Sequence, residues 1–407
     1  MTDAVLGARV ARGRLQYDRL KDANVACPGE VAVASCRFHP SGHPVLFTAG
    51  ADRMLRLFKV DGEVNPVLQT VFTRDLPVTG ARYLEGGREV MLVGKRKHYY
   101  TFDLEDGQLR RIPPHPCFRG QCLDAVEVSP DGRTAAVLLR DGTVQLINAR
   151  TKQPISALQA SGKARRISFA GDGRGFLTAG HGDGKVYYYD LRSLRCVHAH
   201  VDEGCVKSTA LAGAPNGVYA TGQDSGVVNL YDADAVMPGM LKAAAAAASR
   251  WGVVDEGDEA SGADEADLRI PRDGEDADEG DGGWGGAPGA KRGAGAGLYE
   301  HAPEPALRLL NLTTQVDVLR FSPDASMLAF ASTRKREAIR IVHVPTGTVY
   351  KNFPSTTGRS GFGYVTDVDF SPDGSKVACG NAHGQVLLYR LGKSDIDPVA
   401  LLQKRKR

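Results

Sequence analysis

Residues 365–391 read VTDVDFSPDGSKVACGNAHGQVLLYRL, and this stretch decides the fold. Short runs of apolar residues alternate with polar ones, as expected of strands that have an inner and an outer face. The first two runs are separated by Pro372-Asp373-Gly374, in which proline fixes φ and glycine tolerates positive φ. The stretch therefore predicts three consecutive strands joined by tight turns.

Copies of this unit recur along the chain. Aligned on the last apolar residue of the first strand, they fall at Phe38, Tyr83, Val128, Phe169, Leu211, Phe321 and Phe370. Successive spacings are 45, 45, 41, 42, 110 and 49 residues. All but the step of 110 match or come close to the period of roughly 40 to 45 residues that four-stranded WD-repeat blades have. One unit cannot bury its faces alone, whereas seven arranged radially can. The sequence therefore predicts an all-β fold, a seven-bladed WD-repeat β-propeller with a disordered acidic insertion.

The Trp-Asp dipeptide that marks many WD repeats is absent from the sequence. Phe102-Asp103, Tyr189-Asp190 and Tyr231-Asp232 stand at the corresponding places. The prediction rests instead on the period and on the turns, such as the hairpin centres Asp141-Gly142 and Asp183-Gly184.

The stretch RMLRLFKVDGEVNP, residues 53–66, admits two interpretations. Leu57, Phe58 and Asp61 form a short pattern of the kind that flexible segments use to dock on partners. Leu55 and Leu57, however, occupy third-strand positions of the first copy. We favour the strand, because a docking partner would have to peel out a segment whose backbone groups are paired. We therefore expect both leucines to be buried.

The 110-residue step reveals an insertion at residues 241–304, which is rich in glycine, alanine and acidic residues. This composition is typical of disorder, and we expect the segment to loop out between blades five and six. It is either a passive solubilising loop or a ligand for basic proteins. Residues 251–281 have a net charge of −11 and the whole chain has +3, so the remainder carries +14. The folded part is therefore distinctly basic.

These observations divide the chain into five parts. They are an N-terminal segment, blades one to five, the insertion, blades six and seven, and a basic tail, at residues 1–30, 31–240, 241–304, 305–393 and 394–407. Either residues 14–24 or residues 397–403 can supply the outer strand of the last blade. We favour the N-terminal segment, since closure by the opposite terminus locks the ring.

Basic residues cluster at several predicted turns and at the C-terminus. Lys95-Arg96-Lys97 and Arg334-Lys335-Arg336 lie between the second and third strands of blades two and six, so both should project from one face. They are candidate contacts for RNA or partner proteins, and a merely solvated surface is the alternative. Arg165-Arg166 forms a further cluster. The terminal Lys404-Arg405-Lys406-Arg407 resembles a nuclear import signal.

Several function classes find no support in the sequence. No window approaches the roughly 18 consecutive apolar residues of a membrane helix. No phosphate-loop or nucleophile-elbow motif occurs, so we expect no catalytic residues and no cofactor. Seven cysteines without a C-x-x-C pair indicate a reducing compartment. His198 and His200 lack further ligands at metal-binding spacing, so we expect no metal. A mitochondrial transit peptide at the arginine-bearing N-terminus remains an open alternative.

Six strings go beyond a generic propeller, and they occur in the order LFKVDGEVNP, CVHAHVDEG, DSGVVNLYD, LNLTTQVDVLRFSPD, RIVHVPTGTVYKNFP and GYVTDVDFSPDG. Their order and spacing resemble the U3 small nucleolar RNA-associated protein 18 family, a WD-repeat component of the small-subunit processome. The resemblance covers roughly residues 19–392 without the insertion. It implies a nucleolar, non-enzymatic scaffold that acts with other WD-repeat proteins, U3 small nucleolar RNA and pre-ribosomal RNA in 18S RNA maturation.

The chain departs from that family in one respect. Some members carry a long N-terminal extension with a motif that recruits the exosome helicase, whereas here the one Leu-Phe-x-aliphatic-Asp pattern is the strand at residues 57–61. Exosome recruitment is therefore doubtful, unless the natural start lies upstream. The alternative function is a substrate receptor of a cullin-type ubiquitin ligase, because Tyr189-Asp190-Leu191-Arg192 resembles the W-D-x-R adaptor signature. Mutation of Arg192 and an adaptor-binding assay would separate the two.

Overall fold

The computed structural model describes residues 14–118, 121–159, 164–170, 175–180, 184–236, 303–354 and 361–392. In these ranges the strands form seven antiparallel sheets of four strands each. The first strands of neighbouring sheets contact one another around a ring. Each sheet is therefore one blade of a propeller, which confirms the predicted seven-bladed all-β fold. We number the strands of a blade first to fourth from the centre of the ring outward.

The first three blades follow one another along the chain. The N-terminal strand β1 (Tyr17–Arg19) belongs to the last blade. Blade one contains β2 (Val33–Phe38), β3 (Val45–Gly50), β4 (Met54–Lys59) and β5 (Val67–Phe72). Blade two contains β6 (Gly80–Leu84), β7 (Glu89–Val93), β8 (Tyr99–Asp103) and β9 (Leu109–Ile112). Blade three contains β10 (Leu123–Val128), β11 (Thr134–Leu139), β12 (Thr143–Asn148) and β13 (Pro154–Gln159).

The remaining four blades complete the ring. Blade four contains β14 (Ala164–Phe169), β15 (Gly175–Gly180), β16 (Lys185–Asp190) and β17 (Arg195–Val201). Blade five contains β18 (Ser208–Gly213), β19 (Val218–Gln223), β20 (Val228–Asp232) and β21 (Leu307–Leu309), with the short helix α1 (Ala233–Val236) after β20. Blade six contains β22 (Val318–Phe321), β23 (Met327–Ala331), β24 (Ile339–His343) and β25 (Thr348–Val349). Blade seven contains β26 (Val365–Phe370), β27 (Lys376–Asn381) and β28 (Val386–Leu391).

The N-terminal strand closes the ring. β1 is the fourth strand of blade seven and pairs with β28 in antiparallel register, with Tyr17 opposite Leu391. The Tyr17 hydroxyl donates to the Asn352 carbonyl at 2.9 Å, and its ring packs edge-on against Phe353 at 5.1 Å between ring centres. Strands from opposite ends of the described chain thus share one sheet.

The acidic insertion lies within blade five, so the expectation that it falls between blades five and six is wrong. β21 pairs with β20 in antiparallel register, with Leu307 opposite Leu230. Residues 307–309 therefore complete blade five, although the sequence assigned everything from residue 305 to blades six and seven. A strand of three residues is too short to show periodicity, and its partner lies on the other side of the insertion. Residues 241–302 themselves lie outside the described residues.

The hydrophobic core lies between neighbouring blades. Phe47, Leu57 and Phe102 belong to one cluster that joins blades one and two. Leu55 and Leu57 are 0% and 4% exposed, so the strand interpretation of residues 53–66 is confirmed. Outer strands such as β5 alternate between half-buried and exposed residues, because only one of their faces meets the core.

The Ser-Pro-Asp turns hold first and second strands together through side-chain oxygens. In blade seven the Ser371 hydroxyl donates to Asp373 Oδ1 at 2.5 Å and accepts from the Lys376 N–H at 2.8 Å. Asp373 also accepts from the Ser375 N–H at 3.1 Å. The same contacts recur at Ser322 of blade six. The repeated sequence therefore encodes a hydrogen-bonded turn, not only a reversal of direction.

The turns fall on two faces of the ring. Strands within a blade alternate in direction, so second-to-third turns, such as residues 94–98, share one face, which we call the upper face. Third-to-fourth turns, such as residues 191–194, share the opposite, lower face. The basic turns of blades two and six therefore belong to the upper face. The end of β20 and the start of β21, which flank the insertion in the sequence, both lie on the lower face.

Candidate nucleic-acid interface

The basic turn of blade two, residues 95–97, is exposed and firmly anchored. The Arg96 N–H donates to the Gly94 carbonyl at 2.6 Å, and the Arg96 carbonyl accepts from the Leu123 N–H of blade three at 2.9 Å. Position 94 must be glycine, because a Cβ there would lie 2.2 Å from the Pro77 carbonyl oxygen. The three cations therefore stand on a backbone that two blades hold in place.

Lys95 lies in a groove across blades two, three and four, which we call the upper groove. Its volume is about 340 Å³, and it is lined by Lys95, Cys122, Leu123, Asp124, Leu139, Arg140, Ala164 and Arg165. Lys95, Arg140 and Arg165 are exposed, and none of them belongs to an ion pair among the described residues. Three exposed cations and one carboxylate, that of Asp124, thus belong to the described lining of the groove.

Arg165 and Arg166 are adjacent in sequence but serve different surfaces. Ala164 pairs with Gly180 and Arg166 pairs with Ala179, so Arg165 is the extra residue of a β-bulge. A bulge re-aims its side chain, and Arg165 lines the upper groove while Arg166 lines the central channel. Burial, reinforced by the neighbouring Arg165 charge, lowers the pKa of Arg166. The sequence cluster is therefore divided between two environments.

Three ion pairs between blades line the central channel. They are Arg37 with Asp367 at 2.7 Å, Arg82 with Glu127 at 2.5 Å and Arg320 with Asp369 at 2.9 Å. Burial alone would raise the pKa of Glu127, but the Arg82 guanidinium outweighs it and lowers that pKa. Each of these cations has a carboxylate partner. The channel pairs therefore contribute to holding blades together, in contrast to the exposed cations of the upper groove, which form no ion pair among the described residues.

The basic turn of blade six, residues 334–336, lines a second groove on the same face. All three side chains are exposed, and the Arg336 guanidinium lies 5.5 Å from the centre of the Tyr364 ring. The last two residues of the turn, with Arg340 and Lys351, border a cavity of about 430 Å³. The two basic turns therefore share a face but do not meet in one cavity.

Arg192 lies on the lower face, away from both grooves. Its side chain is exposed, and its N–H donates to Asp190 Oδ1 at 3.1 Å. Asp190 Oδ2 accepts from the Ser193 N–H at 3.1 Å, so this carboxylate stabilises the turn. The adaptor hypothesis for Arg192 stays a prediction. The candidate import signal at residues 404–407 lies outside the described residues.

Sequence reasoning missed Arg140 as a site residue. Its N–H donates to the Cys122 carbonyl at 3.0 Å, which fixes this turn of blade three to the floor of the upper groove. The signal was present, because Arg140 follows Lys95 by one blade period of 45 residues. A single arginine does not form a cluster in the sequence, and only the aligned copies place it beside Lys95.

The described residues show a packing role for the histidine pair. His198 and His200 stack with 5.6 Å between ring centres, and His200 Nε2 lies 3.1 Å from the Tyr219 hydroxyl. Burial lowers the pKa of His200 to about 3, so this ring is neutral at pH 7. No group of three or more His, Cys, Asp or Glu in the described ranges could hold a metal ion. All seven cysteines are free thiols, and no described helix is long and apolar enough to span a bilayer.

Comparison with known proteins shows which family the chain resembles. The model of the WD domain, G-beta repeat, matches residues 353–390. The chain is 33% identical over 386 residues to the U3 small nucleolar RNA-associated protein 18 homolog of Arabidopsis thaliana, which covers 95% of this chain and 59% of that relative. The chain is thus similar over nearly its whole length to a U3 small nucleolar RNA-associated protein 18 homolog. The resemblance of the six sequence strings is thereby confirmed, as is the WD-repeat character.

More distant relatives match over the same extent. The human homolog is 29% identical over 384 residues, with 93% of this chain and 57% of the relative covered. The Saccharomyces cerevisiae protein is 23% identical over 424 residues, with 93% and 61% covered. The chain therefore spans about three fifths of the length of these curated relatives.

Proposed function

We propose that this chain is a non-enzymatic scaffold subunit of the small-subunit processome, acting with the U3 ribonucleoprotein in pre-rRNA processing and 18S rRNA maturation. One observation carries the proposal. The chain is similar over 93–95% of its length to proteins named for their association with U3 small nucleolar RNA. The site of action is accordingly the nucleolus.

The architecture supports a scaffold. A closed ring of seven blades offers two broad faces and an outer wall, and it holds their turns on a rigid frame. The described upper face carries exposed cations at two turns and in the upper groove, which suits contact with nucleic acid or with acidic protein surfaces. Propeller folds occur in proteins of many functions, so the proposal rests on the similarity to the named relatives and on the surface chemistry, not on the fold.

The proposed contacts with RNA or neighbouring subunits are Lys95, Arg96, Lys97, Arg334, Lys335 and Arg336. Their partners would be U3 small nucleolar RNA, pre-rRNA and other processome proteins, including WD-repeat subunits. Contact through phosphate groups would be salt-dependent, because binding releases counterions from the RNA. Moderate salt is therefore needed to preserve such contacts during purification.

The test is to tag the chain in its own cells, recover it at moderate salt and quantify the co-purifying RNA. We expect enrichment of U3 RNA and unprocessed pre-rRNA over a small nucleolar RNA of an unrelated class, measured in the same eluate. Absence of both RNAs from a soluble, folded protein would contradict the proposal. Recovery of a cullin adaptor that Arg192→Ala abolishes would instead favour the ubiquitin-ligase alternative.

A further inference from the structure

We propose that the upper groove of blades two to four binds the phosphate backbone of RNA without reading its base sequence. The inference rests on the proposed function and narrows it, because the sequence offered two basic turns as equivalent candidates. Its residues are Lys95, Arg140 and Arg165, which come from three consecutive blades. Arg140 and Arg165 belong to neither basic turn, so they extend the proposed RNA-binding surface to blades three and four.

The groove is organised before any ligand binds. The Leu123 N–H of blade three bonds to the Arg96 carbonyl, and the Cys122 carbonyl accepts from the Arg140 N–H. The turns of blades two and three are therefore both fastened to residues 122–123, which line the groove. Backbone that is already ordered lowers the entropic cost of binding.

Charge at the groove favours a polyanion. Lys95, Arg140 and Arg165 outnumber the one carboxylate of the described lining, Asp124, and the described residues contain no ion pair that uses any of the three. Residues 96 and 97 add two exposed cations at the groove edge. Regularly spaced phosphates can engage such cations together, each contact releasing counterions.

The lining also indicates how the RNA is held. None of the eight described residues that line the groove is aromatic, whereas single-stranded bases are usually held by stacking on aromatic rings. Phosphate contacts position a nucleic acid but carry no sequence information. The groove therefore suits the backbone of structured RNA. An acidic protein segment is the competing occupant, and the experiment includes it.

The experiment measures binding by the full chain to a fluorescent RNA hairpin of arbitrary sequence, to a second hairpin with its bases exchanged, and to a poly-glutamate peptide. The test variant combines Lys95→Ala, Arg140→Ala and Arg165→Ala. The matched control combines Arg133→Ala, Arg150→Ala and Arg195→Ala, which are exposed arginines on the lower side of blades three and four. Equal midpoints of thermal unfolding for the wild type, the test variant and the control variant would show that each variant is folded.

We expect both hairpins to bind the wild type and the control equally. The test variant should lose about tenfold or more in affinity, and the slope of log affinity against log salt should fall by about 2 to 3, since each phosphate contact contributes about 0.7–0.9. The inference is overturned if the test variant binds like the control, if the two hairpins differ strongly, or if neither hairpin binds. Binding of poly-glutamate alone, lost in the test variant, would assign the groove to an acidic protein.

Failure here is distinguishable from failure of the proposed function. If U3 RNA co-purifies from cells but the test variant keeps its hairpin affinity, the family role stands and the groove assignment falls. If U3 RNA and pre-rRNA do not co-purify, the processome role fails whatever the hairpins show.

Discussion

At the residue scale, carboxylates hold the turns of this propeller by accepting backbone N–H groups. Asp61 Oδ1 accepts from Glu63, Val64 and Asn65 at 2.9, 2.8 and 2.9 Å. These hydrogen bonds, with that from Asn65 the strongest, lower the pKa of Asp61 to about 2 from the usual 3.8. The aspartate that seemed to end a docking motif is therefore part of a turn.

The first prediction concerns Asp61→Asn. A depressed pKa means that ionised Asp61 stabilises the fold at neutral pH, and that this contribution is lost as the pH falls from about 4 toward 2. We expect the variant to be less stable than the wild type at pH 7 and the difference to shrink below about pH 4. Thermal unfolding across this pH range measures it. Asp224→Asn, at an exposed hairpin turn, is the control and should change little. A pH-independent difference would contradict the argument.

The second prediction concerns the buried pair of Arg37 and Asp367, whose side chains are 7% and 8% exposed. Burial would lower the pKa of Arg37, but Asp367 and Asp369 outweigh it and raise that pKa, so the guanidinium stays charged. Asp367→Asn removes the carboxylate that pairs directly with this buried charge and leaves only the more weakly acting Asp369, and we expect a loss of about 3–5 kcal/mol in unfolding free energy. Urea unfolding measures the loss.

The matched control is Glu105→Gln, which removes the acid of an exposed pair. Arg88 and Glu105 are 51% and 69% exposed, so this change should cost about 0–1 kcal/mol. Equal losses in the two variants would show that the pair between blades one and seven adds nothing beyond a surface contact.

Some residue roles could be predicted from the sequence and others could not. The aspartates of the Ser-Pro-Asp turns act on neighbours two residues away, so a local pattern reveals them. Arg37 and Asp367 are 330 positions apart, and no local pattern joins them. Arg165 and Arg166 look equivalent in the sequence, yet a bulge sends one to the upper groove and leaves the other in the channel.

At the element scale, strands with a strong alternating pattern could be predicted and short outer strands could not. The first three strands of each blade carry the turn residues and the apolar runs that define the repeat. Outer strands such as β21 and β25 have only three and two residues. Whether such short segments form strands is determined by their pairing in the folded sheet and not by their own sequence. For this reason the sequence pattern predicts the insertion after blade five, whereas it precedes the fourth strand of that blade, β21.

The third prediction concerns ring closure by β1. Tyr17 packs against Phe353 and Tyr389, with 5.1 and 5.9 Å between ring centres. Because Tyr17 is partly buried, we expect Tyr17→Ala to cost about 2 kcal/mol of unfolding free energy, less than a fully buried aromatic residue would. Asp18→Ala alters an exposed neighbour on the same strand and is the control. Urea unfolding followed by circular dichroism measures both, and equal effects would show that β1 does not hold blade seven.

At the scale of the whole molecule, the number of blades follows from the spacing of the copies, whereas the candidate site does not. Lys95 and Arg140 are one period apart, so alignment of the copies brings them together. Arg165 reaches the same groove from the start of a first strand, and only the curvature of the ring and the bulge place it there. Surfaces to which several blades contribute can therefore be recognised only in the folded ring.

The last prediction concerns the distribution of charge over the chain. Residues 251–281 carry a net charge of −11 against +14 for the remainder of the chain, so they offset most of the positive charge that the rest of the chain carries. We expect a variant with residues 241–302 replaced by a short Gly-Ser linker to elute from heparin at higher salt than the wild type. Its thermal unfolding should be nearly unchanged, because the paired strands of all seven blades remain and loop length changes stability only slowly.

A second variant separates charge from length. It keeps the full insertion but replaces the thirteen acidic residues of 251–281 by their amides, and it should elute from heparin at higher salt as the linker variant does. If the amide variant elutes like the wild type while the linker variant elutes later, the insertion limits access to the propeller by its bulk. If neither variant changes, the positive field of the upper face is independent of the insertion, as expected when salt screens charges that are more than roughly 10 Å apart.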